Sequence, residues 1–188
     1  MSTESMQERQ YKACAPAARQ AMQQTVQRLR EFVAGSEGMS VVFAEPLEAE
    51  AVAQLERKYG LALPPSYVHF LRTHGAFVVQ YGGNELIGMT DPAHLHAAAP
   101  DPDDAVDGDD DEVAEAISEA LFFQNVDDFA VENFWCFNPR DRRDDGELCV
   151  VAYYHDEAFA LAESSGEWFR DFGAHIVDVV DDFVATYA

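Results

Sequence analysis

The sequence predicts an α+β domain. Helical periodicity occupies the first third and the end of the chain, and apolar runs separated by turn signals occupy the middle. The chain has 188 residues, 48% of them hydrophobic and 12% aromatic, with 13 Phe. That is enough apolar surface for one core without disulfides or a structural metal.

Residues 1 to about 15 are polar and frayed in character. Pro16 suits the first turn of a helix. Met22, Val26, Leu29 and Val33 then recur at helical spacing, and Gly35 and Gly38 end the segment. It also carries Arg19, Arg28 and Arg30, which fits an amphipathic helix packed on the domain or an arm docked on acidic surface. Val41–Phe43 is a short extended piece. A second helix is expected from Pro46, with Leu47, Val52, Leu55 and Tyr59 inward and Gly60 as its C-terminal cap. Leu63-Pro64-Pro65 breaks the chain, and Ser66 is expected to cap a third helix that buries Tyr67, Phe70 and Leu71 and stops at Gly75.

Ala76–Val79 and Leu86–Met89 then read as strands around a Gly82-Gly83-Asn84 turn. Residues 101–112, DPDDAVDGDDDE, are an acidic run with no apolar period, expected to be a solvated loop or disordered. Val113–Phe123 reads as a short helix or an irregular return. Asn133–Asn138 is aromatic, and Pro139–Gly146 is a charged turn. Leu148–Tyr154 is the best candidate for a central strand, with a hairpin across His155-Asp156-Glu157 to Ala158–Ala162. Ile176, Val179, Val180, Phe183 and Tyr187 give a terminal helix.

Charge narrows the function. There are 35 Asp and Glu against 12 Lys and Arg, a formal net charge of −23. Such a field repels nucleic acid and anionic membranes and attracts cationic protein partners, besides conferring solubility. Cys14, Cys136 and Cys149 show no CxxC spacing, so no disulfide framework is expected. The N-terminus has no apolar signal region, and no run of about 18 apolar residues occurs, so a cytoplasmic protein is expected.

Catalytic and cofactor motifs are missing from the sequence: no GxGxxG, GxxxxGK, GxSxG or HExxH. A calcium loop with its glycine at Gly108 would start at Asp103, but Ala105 and Ala114 fall where ligands are required. His94 and His96, if on a strand, share a face but lack a third ligand. His155 and its acidic neighbours are ordinary turn residues. Trp135 and Trp168 have no interleaved basic residues for stacking single strands. No enzyme, cofactor or metal is therefore expected.

Residues 43–75, FAEPLEAEAVAQLERKYGLALPPSYVHFLRTHG, carry the most distinctive pattern. Leu55-Glu56 closes a helix, Tyr59-Gly60 caps it, Leu63-Pro64 turns the chain, and Tyr67, Phe70 and Leu71 precede Gly75. This resembles the opening signature of the SUKH superfamily, the Smi/Knr-type domain. Ile87-Gly88, Leu148–Tyr154, Ala158–Leu161 and the terminal helix follow the family more loosely, so the resemblance spans about 41–188. It implies a central, mainly antiparallel sheet packed by helices. Residues 1–40 are then an added N-terminal helical extension, and about 101–112 an acidic insertion.

The signature residues have structural roles, so no functional residue is carried over from them. What the resemblance implies is an immunity role: bacterial members bind and neutralise toxins, often nucleases or deaminases, while eukaryotic relatives act as regulatory scaffolds. The expected partner is a cognate toxin with a basic surface, bound by occlusion. The alternative is a scaffold or adaptor with no toxin partner. Expected contacts are the acidic run, Asp101, Asp103, Asp104, Asp107, Asp109, Asp110, Asp111 and Glu112. A second set is a sheet surface with exposed aromatics near Phe134 and Trp135.

Overall fold

A computed structural model describes residues 14–96, 115, 118–128, 131–154 and 171–188, with side chains undescribed at 125–133 and 152–154. Helix α1 spans Pro16–Gly35 and strand β1 Met39–Phe43. Helices α2, Ala49–Tyr59, and α3, Pro65–Thr73, follow. Strands β2, Phe77–Tyr81, and β3, Asn84–Met89, precede a single 3-10 turn at Pro92–His94. Then come β4, Leu121–Asp128, β5, Val131–Arg142, and β6, Leu148–Tyr154. Helix α4, Phe172–Tyr187, closes the chain.

The described strands form one six-stranded sheet in chain order, each antiparallel to the next. The α+β expectation holds. Helix α1 buries Met22, Val26, Leu29 and Val33, the stripe its spacing predicts. These side chains belong to the same core as α3, α4 and the sheet. Phe32 meets Phe183 of α4 edge-on at 5.8 Å, and Arg28 pairs with Asp181. Cys14, just before α1, is also buried, and its burial pushes the thiol up to about 11.

Several local expectations are corrected. Helix α2 starts at Ala49, because Leu47 is tied down earlier: its N–H donates to the Leu71 carbonyl at 3.0 Å. Ser66 is the second residue of α3 and not its cap, since Pro65 already has the helical φ that proline favours. Residues 121–123 are strand, not helix or irregular return. Leu121, Phe122 and Phe123 are all buried, and burial on both faces hides the alternation that marks a strand. The first half of the charged segment, Pro139–Arg142, is strand, with a register shift between Phe137 and Arg142 that accommodates Pro139, and the turn is confined to the residues after Arg142. Strand β6 is last among the described strands. Its apolar run reports that its faces are covered, which does not require a neighbour on both edges. The expected strand at 158–162 lies outside the described residues.

The core centres on aromatic rings. Phe123 stacks on Phe137 at 4.3 Å, and Tyr67 meets Phe137 and Phe172, each at 5.1 Å. Tyr67 is fully buried, and its hydroxyl has no hydrogen-bond partner among the described residues. A buried, unpaired hydroxyl costs about 1–3 kcal/mol. Tyr67→Phe should therefore leave the melting temperature unchanged or raise it. A clear fall in thermal denaturation would mean that the hydroxyl is bonded after all.

Candidate protein-binding surface

The acidic run, Asp101, Asp103, Asp104, Asp107, Asp109, Asp110, Asp111 and Glu112, lies outside the described residues. Its flanks are held. On the near side, Tyr59 donates its hydroxyl to the Pro92 carbonyl at 2.7 Å and accepts the Leu95 N–H at 3.1 Å. Lys58 donates to the Ala93 carbonyl. On the far side, Arg140 of β5 reaches Glu119 at 2.7 Å and Glu115 at 3.2 Å. Hydrogen bonding from Arg140 holds the Glu119 carboxyl below its ordinary range.

Phe134 and Trp135 are consecutive on β5, so they face opposite sides of the sheet. Both are half-buried rather than exposed. Trp135 lies on the helix side, its ring 4.5 Å from that of His175 on α4. Phe134 lies on the other face, beside Phe122 at 6.2 Å. The pair therefore does not form one patch.

The register defines what else shares the face of Phe134. Val42 pairs with Val78, Val78 with Gly88, Gly88 with Asn125, and Asn125 with Phe134. Along this row Val42 is 61% exposed, the most exposed large hydrophobic side chain described. Ser40, Gln80 and Glu85 are exposed around it. Towards β6 the same face closes, since Phe122, Cys136 and Val151 are buried. On this face, which no described helix covers, the accessible part is thus the β1–β3 end, with Phe134 at the boundary.

On the helix side, β4 carries a bulge: the pairing shifts between Phe122 and Gln124. The extra residue turns both Phe123 and Gln124 towards α4. Gln124 Oε1 sits 2.6 Å from Nε2 of His175, which makes Nε2 the protonated nitrogen that donates. His175 is fully buried, and desolvation pushes its pKa down to about 3.

The linkage is direct. The unfolded chain protonates this residue below about pH 6.5, while the folded chain does not until about pH 3. The stability it contributes is complete above pH 6.5 and is lost as pH falls towards 3, at up to about 1.4 kcal/mol per pH unit. Glu147 works in the opposite direction, because its burial raises its pKa. A comparison with His175→Gln cancels that common contribution. From pH 6.5 to 4.5 the parent should lose about 2–3 kcal/mol relative to the variant in urea denaturation. Parallel profiles would refute a neutral, buried imidazole.

Sequence reasoning missed Glu147. Its two carboxylate oxygens accept the N–H and the hydroxyl of Ser66, at 2.9 and 2.8 Å, at the start of α3. A carboxylate from a distant turn thus performs the capping that Ser66 was expected to perform. The only signal was a glutamate flanking an apolar strand, which says nothing about a partner 81 residues away.

The described histidines are spread over separate segments. His94 belongs to the 3-10 turn rather than a strand and lies 3.3 Å from Asp91, both exposed. His96 rests edge-on against Tyr59 at 5.1 Å. Among the described residues no group of three or more His, Cys, Asp or Glu is placed to hold an ion. His155 lies outside them. Burial raises the thiol pKa of Cys136 and Cys149, which leaves both poor nucleophiles at neutral pH.

The profile of the SMI1/KNR4 family (SUKH-1) matches residues 46–171. The chain belongs to the SMI1/KNR4 family. Domains of this SUKH family are often toxin immunity proteins and are generally non-catalytic. Among curated proteins, none matches the chain. The matched stretch of this SUKH chain runs from just before α2 to the residue before α4, so α1, β1 and α4 lie outside it although all three pack into its core or sheet. No helix among the described residues is long and apolar enough to cross a membrane.

Proposed function

We propose that the protein is an immunity protein that neutralises a cognate toxin domain by occluding a basic cleft. The observation that carries this reading is the net charge of −23 on a SUKH domain. A toxin that acts on nucleic acid needs a cationic cleft, and a surface rich in carboxylates competes for it. Opposite charge also speeds encounter, which suits neutralisation of an incoming toxin.

The proposed contacts are the acidic run from Asp101 to Glu112 and the sheet face on which Phe134 shares a cross-strand row with exposed Val42 and half-buried Val78. Trp135 faces the other way, so a single partner footprint takes only one of the two aromatics. Phe134 is the one that shares its face with exposed apolar surface.

The test begins with tagged full-length protein and the basic protein that co-purifies stoichiometrically with it. That partner should kill cells when expressed alone and spare them when co-expressed with this chain. Its association rate should fall about tenfold or more between about 20 and about 200 mM salt. Replacing the carboxylates of 101–112 with amides should slow association most. Many exchangeable, substoichiometric partners, none of them toxic, would point to a scaffold instead.

A further inference from the structure

Carboxylates outnumber cations almost three to one in this chain, so an exposed arginine has every opportunity to pair. Four of the described cations do. Arg28 pairs with Asp181, Arg57 with Glu50, Arg140 with Glu115 and Glu119, and Arg143 with Asp145. Arg142 and Lys58 donate to backbone carbonyls. Arg19, Arg30 and Arg72 form no ion pair among the described residues, and all three are exposed.

These arginines are not scattered. Arg19 and Arg30 are eleven residues apart on α1, which brings them within about 20° of the same helical azimuth and about 16 Å apart along the axis. Arg72 and His69 lie one turn apart on α3, which packs against α1. Arg30 sits over the Phe43 ring at 4.4 Å, and Phe43, Phe77, Phe70 and His74 follow in ring contacts of 5.5, 6.1 and 5.1 Å. His74 is only 6% exposed, and its Nε2 has no hydrogen-bond partner among the described residues. Burial and then Arg19 and Arg72 hold His69 below its ordinary pKa. Burial and then Arg30 and His69 do the same to His74.

From this arrangement we infer that the α1–α3 face is a second docking surface, which takes a short, extended, acidic segment of a protein partner along Arg19, Arg72 and Arg30. A stripe of about 16 Å matches about five residues of extended chain at about 3.3 Å each. Each guanidinium offers a planar fork suited to a carboxylate. Nucleic acid fits the stripe less well. It carries a charge about every 1.7 Å along a rod that continues past the stripe, into the field of the remaining carboxylates. A short peptide places its charges on the stripe alone. The inference does not depend on the partner being a toxin, because a basic cleft would be repelled from this face and would engage another.

The full-length labelled protein should be titrated with a capped penta-glutamate peptide, following the ring signals of His69 and His74 and the side-chain N–H signals of the three arginines by NMR. Saturable shifts are expected, together with a rise in the pKa of His69, because bound carboxylates offset the neighbouring guanidinium charge. The double variant Arg19→Gln, Arg72→Gln should bind about tenfold or more weakly, with an unchanged melting temperature since both side chains are exposed. Shifts reproduced by sodium chloride at equal ionic strength, or retained in the double variant, would overturn the inference. So would a five-nucleotide oligothymidylate that moved the same signals at lower concentration, since that would assign the stripe to phosphates.

Discussion

Deletion of residues 1–38 should leave a chain that does not fold cooperatively, even though the family match begins at residue 46. Helix α1 contributes Met22, Val26, Leu29 and Val33 to the common core, all buried. Without it, Ile176, Val180 and Phe183 of α4 lose their cover, and β1 loses the helix that lies over it. A newly exposed apolar face of this kind drives aggregation rather than a tolerated truncation. The single change Leu29→Ala, at a fully buried site, should cost about 2–5 kcal/mol. Circular dichroism melts and amide NMR dispersion of the truncated chain are the measurements. A sharp, parent-like melt would show that α1 is an appendage after all.

The second large effect is expected at Gly75. Its φ is +77°, a region where a β-carbon is strained, and the β-carbon of an alanine would overlap the carbonyl oxygen of Ala44. That oxygen is backbone and cannot rotate away. The neighbouring residues are fixed as well, since the Ala44 N–H donates to the Ala76 carbonyl at 2.7 Å where β1 and β2 begin to pair. Gly75→Ala should therefore cost about 3 kcal/mol or more, the sum of left-handed strain and a displaced strand. Gly60 provides the control. Its φ is +69°, yet nothing lies within 4 Å of an added β-carbon. Gly60→Ala should cost only about 1 kcal/mol. Equal losses at the two positions in urea denaturation would show that the contact with Ala44 is relieved without cost.

The contrast between these two glycines also shows where sequence reading stops. Both were legible as helix terminators, because a glycine after an apolar helical stripe marks an αL cap. That one of them touches the backbone just past β1 was not legible, since the contact joins residues 31 apart. The same holds for Ser66. Its position after Leu63-Pro64-Pro65 marked a helix start, but its partner, Glu147, arrives from the other end of the domain.

The sequence by itself determined the local elements whose apolar period is unambiguous: α1, α2, α3, the β2–β3 hairpin and α4. It also determined the family, through the 43–75 signature, and the strongly acidic character of the chain. Periodicity reports which faces are covered, and net charge is a sum over residues, so neither needs a third dimension. Only the tertiary structure decided that residues 121–123 are strand, that β6 ends the described sheet, and that Phe134 and Trp135 part to opposite faces. It alone brought Arg19, Arg30 and Arg72 to neighbouring helices with no ion pair among the described residues. Those outcomes depend on register and on contacts between distant segments, and a one-dimensional pattern carries neither.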